Sequence, residues 1–213
     1  MLAARTSWGD GSAPDATAPL VVLLHGYGTD EHDLVPLIEQ MVPPSASWAS
    51  LRGPQQLPFG GAEWFPIETL AAPAARPLAA AAAAIWAWLD VRGSSRRVVP
   101  IGFSQGGVMA LELLREHPDR VAAAAVLSGF AAAPVRPGDA ALADHPAPVF
   151  WGRGDQDDVI PAVLVAWTAQ WLPAHARLAA HRYPGVSHGI STVALPDLAA
   201  FLRPVLEPPR AGL

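Results

Sequence analysis

The chain is predicted to adopt an α/β fold, a mostly parallel central sheet with helices on both faces. Three observations carry this prediction. Short apolar runs at 20–24, 98–101 and 121–127 lack two-residue alternation, as strands buried on both faces do. Stretches at about 31–42, 78–91, 161–171 and 198–206 read as helices. Strands and helices alternate along the chain without an internal repeat, the pattern of parallel strands joined by crossover helices.

Composition narrows the function. With 213 residues, 51% hydrophobic and 15% charged, the chain reads as one compact domain over 1–213, not a disordered one. Much of the hydrophobic count is alanine and all 14 basic residues are arginine, which we read as codon bias. A net charge of −5 without a basic stripe argues against a nucleic-acid partner. The absence of cysteine removes disulfides, a thiol nucleophile and zinc–thiolate sites. Residues 1–8 lack the apolar core of a secretion signal, and the alanine-rich run at 78–89 is too short to cross a bilayer. No stable membrane insertion is therefore expected, and the expected location is the cytoplasm.

In order, residues 2–8 suit an edge strand and 10–19 a Gly/Pro/Asp-rich turn. The strand at 20–24 ends in His25-Gly26-Tyr27-Gly28. The helix at about 31–42 has Asp30 as its N-cap and an acidic first turn. A weak strand at 47–51 leads into a long loop over 52–70 that holds Phe59, Trp64 and Phe65. After the helix at 78–91 comes Gly102-Phe103-Ser104-Gln105-Gly106 between a strand and a helix. The strand at 121–127 ends Ser128-Gly129-Phe130, and a Pro/Ala/Gly loop covers 131–148. A short strand at 149–151 feeds Gly154-Asp155-Gln156-Asp157-Asp158. Pro161 opens the next helix. A strand at 177–183 precedes Ser187-His188-Gly189, and Pro204 is expected to kink or end the last helix. Each candidate residue below follows a predicted strand, where open parallel sheets place their ligands.

Gly-x-Ser-x-Gly between strand and helix is the nucleophile-elbow pattern. The turn residue must take a strained conformation that lifts its side chain clear of the sheet, and its flanking glycines keep the two backbones from colliding. With 18 glycines and eleven serines, chance supplies the bare pattern about 0.08 times per chain, so the flanking strand and helix matter as much as the letters. A serine hydroxyl needs a base beside it. Of seven histidines, His188 lies in a Gly-flanked loop after the last strand, while His25 suits a structural brace for its turn. The imidazole in turn needs a carboxylate. Asp155, Asp157 and Asp158 share one loop, and spacing does not separate them. The order Ser, acid, His is that of elbow-type hydrolases. The oxyanion donors would be the backbone N–H groups of Gln105 and Tyr27.

Leu24-His25-Gly26-Tyr27-Gly28-Thr29-Asp30-Glu31, Gly102-Phe103-Ser104-Gln105-Gly106-Gly107, Gly154-Asp155-Gln156-Asp157 with Val159-Ile160-Pro161, and Ser187-His188-Gly189 resemble the phospholipase/carboxylesterase family of α/β-hydrolases, which includes the acyl-protein thioesterases. The likeness runs from about residue 20 to 202. It implies the α/β-hydrolase fold, with no large lid. The family's acid lies in Gly-x-x-Asp-x-x-(Val/Ile)-Pro, which Gly154, Asp157, Ile160 and Pro161 match, so the resemblance favours Asp157. Asp155 fits only by counting from Gly152, with the proline displaced. Trp64-Phe65 resembles the aromatic pair that lines the family's acyl pocket, and Phe59 and Phe130 are further candidates. One departure is Trp151-Gly152-Arg153-Gly154, where many relatives carry a histidine before the second glycine.

The expected activity is that of a serine carboxylesterase acting on esters, thioesters or lysophospholipids through Ser104, Asp157 and His188, with no metal or cofactor. The rivals are a same-fold peptidase or acyltransferase, a non-catalytic binding protein, and a metal hydrolase built on Asp30-Glu31-His32-Asp33. The last cluster is better read as an acidic helix start.

Overall fold

The computed structural model describes residues 1–9, 17–66, 75–92, 96–133 and 135–207. Residues 10–16 of the expected turn and 67–70 of the expected long loop lie outside them. In chain order the elements are β1 (Ala4–Thr6), β2 (Leu20–Leu24), α1 (Ile38–Met41), β3 (Trp48–Leu51), β4 (Gln55–Gln56), β5 (Ala62–Glu63), α2 (Ala75–Val91), β6 (Val98–Phe103), α3 (Gln105–Glu116), β7 (Ala124–Leu127), α4 (Gly138–Asp144), β8 (Ala147–Gly154), α5 (Ala162–His175), β9 (Ala176–Tyr183) and α6 (Ala194–Leu206). Seven strands form one sheet in the order β1-β3-β2-β6-β7-β8-β9, and β4 with β5 makes a separate two-stranded hairpin. All neighbours in the large sheet are parallel except β1, which runs antiparallel on the β3 edge.

The strands separate two cores by simple alternation. Leu20, Val22 and Leu24 of β2, with Ala124 and Val126 of β7, face a core shared with α2, α3 and α5. Val21 and Leu23, with Ala125 and Leu127, face the other core, shared with α1 and α6. A strand covered on both sides has no polar face, which is why these segments are continuous apolar runs. No helix among the described residues is long and apolar enough to cross a membrane.

Several expected elements differ in the structure. The helix expected over 31–42 is a 3₁₀ turn at Val35–Leu37 followed by the four residues of α1. Its start is taken by local side-chain bonds: Asp30 Oδ1 accepts from His32 N at 2.9 Å, and Thr29 Oγ1 donates to Asp33 Oδ2 at 3.0 Å. Such bonds offer the backbone an alternative to helix, and Pro36 lacks the N–H the helix needs. The loop expected over 131–148 contains α4, and β8 already starts at Ala147. The last helix ends at Leu206 as expected, with Pro204 inside it, but starts four residues earlier, at Ala194. Pro161 stands at the N-cap of α5, one residue before the helix proper.

The missed helix α4 is held by buried charge. Arg115, fully buried on α3, donates from Nε and Nη2 to the two oxygens of Asp139 at 2.7 Å each. Its Nη1 donates to Glu112 Oε1 at 3.0 Å and to the Ala132 carbonyl at 2.6 Å. Arg136 Nε donates to Glu112 Oε2 at 2.9 Å. The fork geometry and the second bond to each carboxylate are what a buried ion cluster needs to offset its desolvation. Nearby on α3, burial and the Glu112 charge push the Glu116 carboxyl up from 4.5 to about 7, against a smaller opposing effect of Arg136.

That shift makes stability fall as pH rises. Between 4.5 and about 7 the folded chain holds a proton on Glu116 that the unfolded chain has released, so the cost grows through this window and is complete above it. Glu116→Gln is expected to raise the melting temperature at pH 8 by clearly more than at pH 5, measured by thermal circular dichroism.

Candidate active site

Strand β6 runs directly into α3 through Ser104, whose φ of 53° and ψ of −114° lie where non-glycine residues are rarely found. The crossing leaves no clearance. A Cβ on Gly102 would lie 2.0 Å from the Gly106 carbonyl oxygen, and one on Gly106 would lie 2.0 Å from the Leu24 carbonyl oxygen. The first contact is the strand–helix collision expected from the pattern. The second shows that Gly106 also makes room for β2, the neighbouring strand. Ser104 N donates to the Leu127 carbonyl at 2.8 Å, tying the turn to β7.

His188, carried by the loop after β9, places Nε2 2.9 Å from Ser104 Oγ. Its Nδ1 lies 2.9 Å from Asp157 Oδ2, in the loop after β8. A carboxylate only accepts, so Nδ1 carries the proton and Nε2 is left to accept from the serine hydroxyl. The Asp157 side chain is 1% exposed and that of His188 15%. Asp157 Oδ1 also accepts from Val159 N at 3.1 Å and Ile160 N at 3.2 Å, which fixes the carboxylate plane. The Phe103 ring lies 5.2 Å from the imidazole, centroid to centroid.

Asp155 does something else. Its Oδ1 accepts from Gly185 N at 2.7 Å, while its own N donates to the Tyr183 carbonyl at 3.1 Å. It stitches the β8 loop to the loop that delivers His188. A Cβ on Gly154 would meet the Val186 carbonyl oxygen at 1.9 Å, so these loops touch backbone to backbone.

Tyr27 follows β2 and Gln105 opens α3, at the same edge of paired strands. Among the described residues neither backbone N–H has an acceptor. A Cβ on Gly26 would stand 3.7 Å from Ser104 Cβ, which puts the Tyr27 turn against the serine. His25 acts as the brace expected of it. Gly53 N donates to its Nε2 at 2.9 Å, so Nδ1 carries the proton and bonds the Gly26 carbonyl at 2.6 Å. Burial keeps its pKa below the usual histidine value, which holds this neutral form.

The four aromatic candidates divide. Trp64, Phe65 and Phe130 have 0% exposure and belong to the core shared with α2, α3 and α5. Phe59 is 72% exposed at the tip of the β4–β5 hairpin, with its ring 6.4 Å from that of Tyr27. The sequence reading missed the Gln105 side chain, which grips the Trp64–Phe65 backbone, and Ser128, whose φ is 49° and whose Oγ lies 3.4 Å from the Gly189 carbonyl. Their signal was adjacency alone: Gln105 follows the elbow serine and Ser128 ends a strand. Asp30, Glu31 and His32 do bring their ligand atoms within 4.8 Å of one another. Arg52 pairs with Glu31 at 3.3 Å and Asp30 at 3.8 Å there, and a hydrogen bond from His32 N keeps the Asp30 pKa below its usual value.

A parallel sheet of this order, with Ser, Asp and His in sequence on the loops at its carboxyl edge, is the architecture of the α/β-hydrolases. Residues 12–206 match the family described as Phospholipase/Carboxylesterase, and the chain belongs to that family. It is 35% identical over 123 residues to a pimeloyl-[acyl-carrier protein] methyl ester esterase of Neisseria meningitidis, a match covering 56% of this chain and 40% of that protein. It is 30% identical over 115 residues to acyl-protein thioesterase 1 of Saccharomyces cerevisiae, covering 50% of this chain and 48% of that one. The chain thus spans about half or less of the length of these curated relatives. The crystal structure of esterase PE8 superposes with a TM-score of 0.75 at 27% identity, over 96% of this chain and 99% of that one.

The crossing at Gly102 predicts a sharp stability contrast. Gly102→Ala puts a methyl group into backbone and is expected to cost more than about 4 kcal/mol. Gly189→Ala meets nothing within 4 Å and is expected to stay within about 0.5 kcal/mol of the parent. Urea titration of the two variants measures both.

Proposed function

We propose that this chain is a serine esterase, working as one domain, that hydrolyses carboxylic esters and thioesters through an acyl-enzyme. The observation that carries the reading is the pair of 2.9 Å contacts joining Ser104 Oγ to His188 Nε2 and His188 Nδ1 to Asp157 Oδ2. In acylation Ser104 Oγ attacks the substrate carbonyl carbon as its proton passes to His188 Nε2. The carbonyl oxygen takes the negative charge and is held by the N–H groups of Tyr27 and Gln105, each such donor contributing about 3 kcal/mol of barrier lowering. The imidazolium then gives its proton to the leaving alcohol or thiol, and the C–O or C–S bond breaks. Asp157 holds the tautomer and stabilises the imidazolium. In deacylation water attacks the acyl carbon, its proton goes to Nε2, and Ser104 Oγ leaves and takes that proton back. Each step uses only side chains, backbone N–H groups and water.

The relatives' names support both leaving groups, since one is called a methyl ester esterase and another an acyl-protein thioesterase. Phe59, exposed beside Tyr27, is the aromatic candidate best placed to meet an acyl substrate. Trp64 and Phe65 act from behind, through their bonds to Gln105 and His25, and Phe130 fills the core.

A serine-reactive fluorophosphonate is expected to label the chain once, at Ser104, and Ser104→Ala to abolish labelling. With p-nitrophenyl esters of graded acyl length, Ser104→Ala is expected to lower kcat/KM on the order of 10⁴- to 10⁶-fold. Asp157→Asn should cost about 10⁴-fold and Asp155→Asn less than about 10-fold. Equal losses from the two aspartates would transfer the role away from Asp157.

A further inference from the structure

The residue after the elbow serine has a buried side chain that the mechanism above does not use. Gln105 is 1% exposed. Its Oε1 accepts from Trp64 N at 2.8 Å, and its Nε2 donates to the Phe65 carbonyl at 2.7 Å. One amide therefore pairs with two successive backbone groups of the segment after β5. That segment is linked to the other side of the site. Trp64 Nε1 donates to the His25 carbonyl at 2.9 Å, and the Trp64 and His25 rings lie 5.2 Å apart. His25 in turn bonds the Gly26 carbonyl through Nδ1 and Gly53 N through Nε2. A continuous buried path runs from the first residue of α3 through Trp64 to His25 and Gly26, which immediately precede Tyr27.

From this path we infer that the Gln105 side chain is a positioning residue that fixes the separation of the two oxyanion donors, its own N–H and that of Tyr27. The inference rests on the serine-esterase reading. The physical argument is one of rigidity. The two N–H groups sit on different elements; Gly106 packs on Leu24 and His25, and Gly26 on Phe103 and Ser104, but these contacts end one residue short of Tyr27. The Tyr27 turn is flanked by Gly26 and Gly28, the latter with φ of 81°, so its backbone has little intrinsic preference for one geometry. Donors stabilise a developing oxyanion only when they are aimed before the charge appears, and a misplacement of about 1 Å costs on the order of 100-fold in rate. Each side-chain polar atom on the path has a hydrogen-bond partner, the condition under which a buried network rigidifies its surroundings. The arrangement also accounts for two fully buried aromatics beside a catalytic serine. Trp64 is there as a strut with an indole N–H, and Phe65 presents a carbonyl.

Two variants separate the hydrogen bonds from packing. Gln105→Met keeps the volume and removes both bonds, and Gln105→Ala removes both and leaves a void. Both keep the backbone N–H of residue 105. Each is expected to lower kcat about 10- to 100-fold while KM stays within about 2-fold. Inhibition by a trifluoromethyl ketone, whose tetrahedral hemiketal adduct with Ser104 Oγ carries the oxyanion, should weaken by the same factor as kcat. In amide hydrogen exchange read by mass spectrometry, peptides covering 25–28 should exchange faster in both variants, while peptides covering β7 do not change. Wild-type kcat in Gln105→Met, or a loss that appears equally in KM, overturns the inference, as does unchanged exchange at 25–28. The exchange measurement needs no turnover. A clamp that fails there fails on its own account, whereas a parent chain that neither turns over esters nor reacts with fluorophosphonate removes the esterase reading instead.

Discussion

The arrangement depends on one steric fact: β6 and α3 meet with no room for a side chain between them. The same contact forces Ser104 into its unusual backbone conformation and brings the end of β2 against the first turn of α3. Those are the two pieces of chain that carry Gln105 and Tyr27. Close packing and site assembly are thus the same event. The cost of the strained serine is spread over the surrounding sheet, where Leu20–Leu24 and Val98–Phe103 are bonded along their length.

The charges divide between two jobs. Around α3 and α4, Arg115, Arg136, Glu112 and Asp139 pair with one another out of water and hold a short helix that its own sequence would not stabilise. At the carboxyl edge, Asp155 and Asp157 lie two residues apart in one loop and do different work. One bonds backbone across to the next loop and the other bonds an imidazole. The Asp157 side chain is closed off, whereas the bond at Asp155 is exposed to solvent.

What could be read from the sequence were the features with short-range causes. Apolar runs at Leu20–Leu24 and Val98–Phe103 announce strands covered on both faces, and Gly102 and Gly106 announce a crossing without clearance. The position of Asp157 came from the family's spacing to Pro161, not from the residue itself. Features with long-range causes were opaque. Helix α4 depends on Arg115, 24 residues before its partner Asp139. The start expected for the helix at 31 was overruled by Thr29, Asp30 and Asp33 bonding their own neighbourhood. Trp64 and Phe65 could be recognised as belonging near the site, but whether an aromatic faces ligand or core depends on 41-residue contacts such as Trp64 to Gln105.

Among the described residues strand β9 has only one neighbour in the sheet, β8, whereas β6 is flanked by β2 and β7. The imidazole therefore rides on the rim of the structure and the hydroxyl on its centre. Peripheral strands open at lower free energy than central ones. On the proposed serine-esterase reading, opening from this edge separates His188 from Ser104 before the central strands come apart, so activity is expected to fall before ellipticity does.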